Sequence, residues 1–245
     1  MPLKIVLLGD KDSFNTHIAE EFIDLVKAVQ SQGEDIRIIL GGGKTPIDVN
    51  ERIVHYTSNS KVDWSRIVIF FSDERCVPPD HSDSNYKMVR KTLLEPLKIP
   101  GKNVFRIEGE LGPERAAMKY EKKIARVLGE GLESVFELAL LGMGADGHTA
   151  SLFPGSKAIK ETKRFAVPAG KGPEGHERVT LTYPLLNRCK EVWFMIRGKE
   201  KQSAVRRLIH GSFNPEKCPA QGISPADGEL VYILGDGLNL TSSIS

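Results

Sequence analysis

A chain of 245 residues, 40% hydrophobic and 27% charged, has the composition of an ordinary globular protein and enough length to bury a substantial core. Its 34 basic residues against 32 acidic ones leave a net charge of +2, which argues against a nucleic-acid binder or a polybasic membrane-surface protein and makes any useful positive charge a local matter. Three widely spaced cysteines, Cys76, Cys189 and Cys218, form neither a disulfide framework nor a zinc-ligand pattern and fit free thiols in a reducing compartment.

The first apolar run, KIVLLG, reads as a strand. It is far too short for a signal-peptide core, and no segment approaches the roughly 20 apolar residues that cross a bilayer, so a cytoplasmic location is expected. Phe14, Ile18, Phe22, Leu25, Val26 and Val29 then recur at three- and four-residue intervals, which predicts a helix with one apolar face. The next strand, IRIIL, runs into ILGGGKTPI, where Thr45 is placed to cap a helix and Pro46 suits its first turn.

Glycines there let the backbone approach an anion closely, and a helix start offers unpaired N–H groups with a partial positive charge. Gly42, Gly43, Lys44 and Thr45 are therefore candidate phosphate binders. A nucleotide-binding P-loop would need a glycine at position 38, and Ile38 stands there. The plainer reading is a glycine turn between strand and helix.

RIVIFF is the third strand, followed by SDERCVPPDHSDSN. Asp73, Glu74 and Arg75 lie at its carboxyl end, where a planar guanidinium would grip a phosphate or carboxylate; the bland alternative is a solvated ion pair. Cys76 reads as a packed, inert thiol rather than a nucleophile. VPPDHSDSN has the composition of a loop, and EKKIARVLGEG that of a helix closing at a glycine.

ELALLGMGADGHTASLFPGS, from Glu137 to Ser156, passes from a strand into a glycine loop that presents His148. GMGADG meets the loose G-x-G-x-x-G dinucleotide pattern, but no acid stands near Phe165–Pro168, where the ribose contact belongs. An imidazole in a loop at a strand end is instead a candidate general base. AVPAGKGPEGHE is expected to be a mobile loop and lid. Two further strands, RVTLTY and EVWFMIRG, bring Arg178, Arg197, Lys199 and Lys201 to the same region as anion-binding candidates.

Strands alternating with amphipathic stretches, several of them continuous apolar runs, predict an α/β fold: one domain over 1–245 with a doubly wound, mostly parallel open sheet and helices on both faces. Ligands of such sheets bind beyond the carboxyl ends of the strands.

Taken together, GGGKTP, SDERCVPPDHSDSN, LLGMGADGHTASLFPGS, RVTLTYPLLN and IRGKEK resemble the 6-phosphogluconolactonase family, within the larger group that includes glucosamine-6-phosphate deaminases. The segments follow the family's order from about Gly41 to Lys201, and CPAQGISP resembles its closing segment. Arg75 and GHTASLFP, in place of the deaminase branch's Asp-Glu-Tyr and Asn-Glu-Pro segments, favour the lactonase branch.

The resemblance implies hydrolysis of a 6-phosphogluconate δ-lactone in the oxidative pentose phosphate pathway, without metal or organic cofactor, by a monomer or small homo-oligomer whose partner is the sugar-phosphate lactone alone. It implies that His148 activates water, that Asp73 orients the site or assists proton transfer, and that N–H groups around Gly144 meet the oxyanion. Gly42, Gly43, Lys44 and Thr45 would hold the phosphate with Arg75, Arg178 and Lys201. Gly43 and Lys44 stand where relatives often place a serine or arginine.

Overall fold

In a computed structural model that describes residues 2–57, 60–129 and 136–240, the elements run β1 (Leu3–Leu7), α1 (Lys11–Ser31), β2 (Ile36–Leu40), α2 (Lys44–Thr57), β3 (Ile67–Phe71), β4 (Asp73–Arg75), α3 (Asn85–Val89), β5 (Val104–Phe105), α4 (Pro113–Leu128), β6 (Leu138–Gly142), β7 (Ala166–Lys171), β8 (Glu177–Leu181), α5 (Tyr183–Leu186), β9 (Glu191–Ile196), α6 (Gln202–His210) and β10 (Glu229–Leu234). Seven of the strands form one parallel sheet in the order β1-β10-β9-β6-β2-β3-β5. Successive residues Ile38 and Ile39, or Leu140 and Leu141, point to opposite faces and are all buried. Both faces are therefore covered at the centre of the sheet, which is why these strands read as unbroken apolar runs, whereas the edge strand β1 leaves Leu3, Ile5 and Leu7 exposed.

The expected helices form for the expected reasons. Asp10 caps α1 by accepting from the Ser13 N–H at 2.9 Å, and Phe14, Ile18, Phe22 and Val26 make its buried stripe. Helix α2 starts at Lys44, so Thr45 lies inside the first turn rather than capping it. Helix α4 closes at Gly129; Gly131, the later glycine of the expected stop, is outside the described residues. Among the described residues no helix is long and apolar enough to cross a membrane.

The open sheet is not alone. RVTLTY becomes β8 of a second, three-stranded antiparallel sheet in the order β4-β8-β7. The segment expected as a loop, AVPAGKGPEGHE, supplies its edge strand β7 and the tip of the β7–β8 hairpin. Pro168 is tolerated because β7 is an edge, where a missing N–H breaks no second ladder, and Gly170, at φ +77°, marks a register shift.

Strand β5 pairs only with Ile69 and Phe70, which leaves the Phe71 backbone beyond its reach. The buried Tyr120 hydroxyl of α4 fills that gap, accepting from the Phe71 N–H at 2.8 Å and donating to the Phe71 carbonyl at 2.9 Å. One side chain thus fixes the end of β3, immediately before Ser72 and Asp73.

Candidate active site

Within the parallel sheet the chain runs outward through β2, β3 and β5 on one side and through β6, β9 and β10 on the other, so β2 and β6 flank a topological switch point. A cavity of about 240 Å³ lies there, lined by residues that follow β2, β3, β6 and β9. The ten residues to which the family resemblance assigned roles line it, namely Gly42, Gly43, Lys44, Thr45, Asp73, Arg75, Gly144, His148, Arg178 and Lys201, whereas the further candidates Glu74, Arg197 and Lys199 do not. That volume suits one small polar metabolite better than a dinucleotide.

Four cationic side chains, Lys44, Arg75, Arg178 and Lys201, face two acids, Asp73 and Glu174, in the lining. The cavity therefore holds a surplus of two positive charges beside the start of α2, where Lys44 and Thr45 are in the first turn and their N–H groups have no intrahelical partner. Burial pushes the Lys201 ammonium below the ordinary lysine range, and an entering anion would reverse that shift. Arg197, at the same strand end, is committed to Asp48 and does not line the cavity.

The histidine is held by the loop that carries it. His148 Nδ1 lies 2.6 Å from Asp146 Oδ1, and the His148 N–H donates to the same oxygen at 3.0 Å. With Nδ1–H donated to the carboxylate, Nε2 keeps the basic lone pair. Burial pushes the Asp146 carboxyl up, but the hydrogen bonds from the His148 ring and backbone outweigh it and hold the group below the usual carboxylate range. The His148 ring packs on Phe153 at 4.8 Å between centroids, and the Arg178 guanidinium lies over the same ring at 5.6 Å.

Gly144 makes room for this ring. A Cβ there would stand 2.3 Å from Nδ1 and Cε1 of His148. Its own N–H donates to the His148 carbonyl at 2.9 Å, so among the N–H groups of this turn that one is already engaged. Ala150, at φ +49°, takes the left-handed conformation, and on either side of it Thr149 Oγ1 donates to the Gly142 carbonyl while Ser151 reaches across to Asp73.

Asp73 is buried at the centre of a polar cluster. Its Oδ2 accepts from Ser151 Oγ at 2.6 Å and pairs with Arg178 at 3.3 Å, while Oδ1 accepts from Ser72 Oγ at 3.1 Å. Asn85 Nδ2 donates to the Asp73 carbonyl at 2.9 Å, and Asn85 Oδ1 accepts from Arg75 at 2.9 Å. Asp73 thereby aligns Arg178, and Asn85 aligns Arg75. A Cβ at Gly42 would overlap Asn85 Oδ1 at 2.0 Å, so the glycine turn is also required by this packing.

Glu74 turns away from the cavity and ties β4 to the start of α3, accepting from the N–H groups of Asn85 and Tyr86 at 2.8 Å each. Burial raises its carboxyl to about 7. Burial likewise pushes the Cys76 thiol up to about 11, leaving little thiolate, and this agrees with the inert reading. All three cysteines are free.

A family model described as glucosamine-6-phosphate isomerases/6-phosphogluconolactonase matches residues 9–232. The chain belongs to this family. The 6-phosphogluconolactonase of Synechocystis sp. is 36% identical over 86% of this chain and 85% of its own, and that of Treponema pallidum is 40% identical over 69% and 70%. The crystal structure of a 6-phosphogluconolactonase from Thermotoga maritima is 32% identical and superposes with a TM-score of 0.81 over 96% of this chain and 100% of that one.

Within this family member, two charged site residues escaped the sequence reading, as did Asn85. Asp146 is the partner of His148, and its signal was an acid two residues before the histidine in the same loop. Glu174 comes from the hairpin tip, where its carboxylate meets Arg75 at 3.5 Å and also pairs with Arg178. The Nε atoms of both arginines are buried without a partner among the described residues. Glu174 thus lends an anion to two guanidinium groups that face the cavity.

Proposed function

We propose that this chain hydrolyses 6-phospho-D-glucono-1,5-lactone to 6-phospho-D-gluconate. The observation that carries the reading is the meeting of His148, held by Asp146, with four cations in the lining of one small cavity. The named relatives are lactonases of that substrate, which supports the same assignment here.

In the proposed reaction the phosphate is gripped at the start of α2 by the turn Gly42–Thr45, with Lys44, Lys201, Arg75 and Arg178 supplying charge. Binding energy spent on that remote group places the lactone carbonyl against His148. His148 Nε2 takes a proton from water as its oxygen attacks C1, and Asp146 stabilises the imidazolium through Nδ1–H. The tetrahedral intermediate expels the ring oxygen, which leaves as the C5 hydroxyl after receiving the proton from His148. Asp73 holds Arg178 in place rather than shuttling the proton. No step calls for a metal or organic cofactor.

The test compares wild type with His148→Ala on the lactone, with ammonia release from glucosamine 6-phosphate measured in parallel. The account expects lactone hydrolysis with kcat/KM at least about 100-fold lower in the variant. A variant within threefold of wild type removes the general base, and rapid ammonia release assigns the cavity to the isomerase chemistry of the family instead.

A further inference from the structure

The tip of the β7–β8 hairpin carries a second group of residues that the lactone reaction does not use. His176, just before β8, meets Asp83 from the segment that leads into α3: His176 Nε2 lies 2.9 Å from Asp83 Oδ2. His81 joins them, with Nδ1 at 3.8 Å from the same oxygen and its ring 5.6 Å from that of His176, nearly perpendicular. One donor atom from each residue lies within 4.8 Å of the other two. Two segments some ninety residues apart therefore converge two imidazoles and a carboxylate on one point.

We propose that His81, Asp83 and His176 bind one divalent transition-metal ion of the zinc class, and that the ion fastens the β7–β8 hairpin to the segment before α3. Two imidazole nitrogens with one carboxylate are the donor set of Zn²⁺, Co²⁺ or Ni²⁺; Mg²⁺ and Ca²⁺ prefer oxygen. A tetrahedral ion with bonds near 2.1 Å needs donors about 3.4 Å apart, and the observed 2.9 and 3.8 Å bracket that spacing. The side chains are between 31% and 45% exposed, so an ion enters from solvent and water completes its coordination.

The protonation states fit as well. The Asp83 N–H donates to His81 Nδ1 at 3.1 Å, which marks that nitrogen as a lone-pair atom, and this hydrogen bond is given up when the ion takes the lone pair. The hydrogen bond from His176 and the nearby imidazoles hold the Asp83 carboxyl below the usual range, so it is ionised at neutral pH. On binding, His176 moves its proton from Nε2 to Nδ1 and the ion takes the vacated lone pair.

This placement reaches the cavity without touching the reacting groups. The Asp83 carbonyl accepts from Arg75 at 2.8 Å, and Pro173 and Glu174, at the same hairpin tip, line the cavity. An ion at the three residues fixes the hairpin with Glu174 beside its two arginines. The inference stands apart from the lactonase reading, because its readout is metal binding and not turnover.

The experiment titrates untagged, metal-free full-length protein with Zn²⁺ by calorimetry, and follows hydrogen exchange of the 172–176 amides with and without the ion. Wild type is expected to bind one ion with micromolar affinity and to slow exchange at the tip. His81→Ala and His176→Ala are each expected to weaken binding at least about 100-fold, since even outer residues of metal sites cost 10- to 100-fold; His210→Ala keeps it. No binding by wild type, or binding unchanged in His176→Ala, overturns the proposal. Should an alanine variant fail to fold, imidazole NMR signals of the wild type decide: His81 and His176 shifting together support the site, and a shift of His148 without them refutes it.

Discussion

Replacing Gly144 by alanine isolates the placement of the imidazole from every other property of the cavity. Gly144 is not among the residues with positive φ, so alanine meets no backbone strain. Its new Cβ would stand 2.3 Å from Nδ1 and Cε1 of His148 and 2.7 Å from Asp146 Oδ1, whereas ordinary contact begins near 3.4 Å. The ring must therefore retreat by about 1.1 Å, a displacement that costs about 100-fold in rate when it separates a base from its water. The phosphate contacts at α2 are untouched, so KM should stay within about threefold while kcat falls about 100-fold. Loss of the ring's hydrogen bond to Asp146 should lower stability by about 1 kcal/mol, readable in urea unfolding. Steady-state lactone hydrolysis at fixed pH is the assay. A kcat within threefold of wild type, or a raised KM with kcat unchanged, would refute the argument that the glycine exists to seat the base.

Tyr120→Phe strands the buried N–H and carbonyl of Phe71 and should cost about 2 kcal/mol or more in urea unfolding; an unchanged midpoint would show that water replaces the hydroxyl. Glu174→Ala frees Arg75 and Arg178 for the substrate anion and should lower KM for the lactone about two- to fivefold, the scale of a partly exposed ion pair; a raised KM would make Glu174 a substrate contact instead. Because burial depresses the Lys201 ammonium and only its charged form grips phosphate, affinity for 6-phosphogluconate should fall as pH rises through that lowered value, before an ordinary lysine would lose its charge. Lys201→Arg keeps its charge and should flatten that alkaline fall in calorimetry; a fall that persists assigns it to another group.

Much of the site was legible because it sits at strand ends. ILGGGKTPI, SDER, GMGADGH and IRGKEK each follow an apolar run, and the carboxyl ends of adjacent parallel strands necessarily share one crevice, so lining residues could be named without coordinates. The exceptions are instructive. Asp146 was passed over as part of a loose dinucleotide pattern, because pattern spacing says nothing about which side chain turns back on the loop. The segment AVPAGKGPEGHE has a loop's composition, yet β7 within it needs few ladder bonds as an edge strand, and β8 holds it by backbone pairing that composition does not record. Glu174 was lost with that segment. RVTLTY was read correctly as a strand and wrongly as part of the open sheet, since β propensity does not specify a partner. The Tyr120 contact, bridging 49 residues, had no local signal at all.

The most direct test of the central claim is a crystal structure of the wild-type protein with 6-phosphogluconate. The account predicts the phosphate against the N–H groups of Lys44 and Thr45, and the C1 carboxylate within hydrogen-bond reach of His148 Nε2. A ligand bound in the opposite sense, with its phosphate on His148 and C1 at the glycine turn, would contradict it.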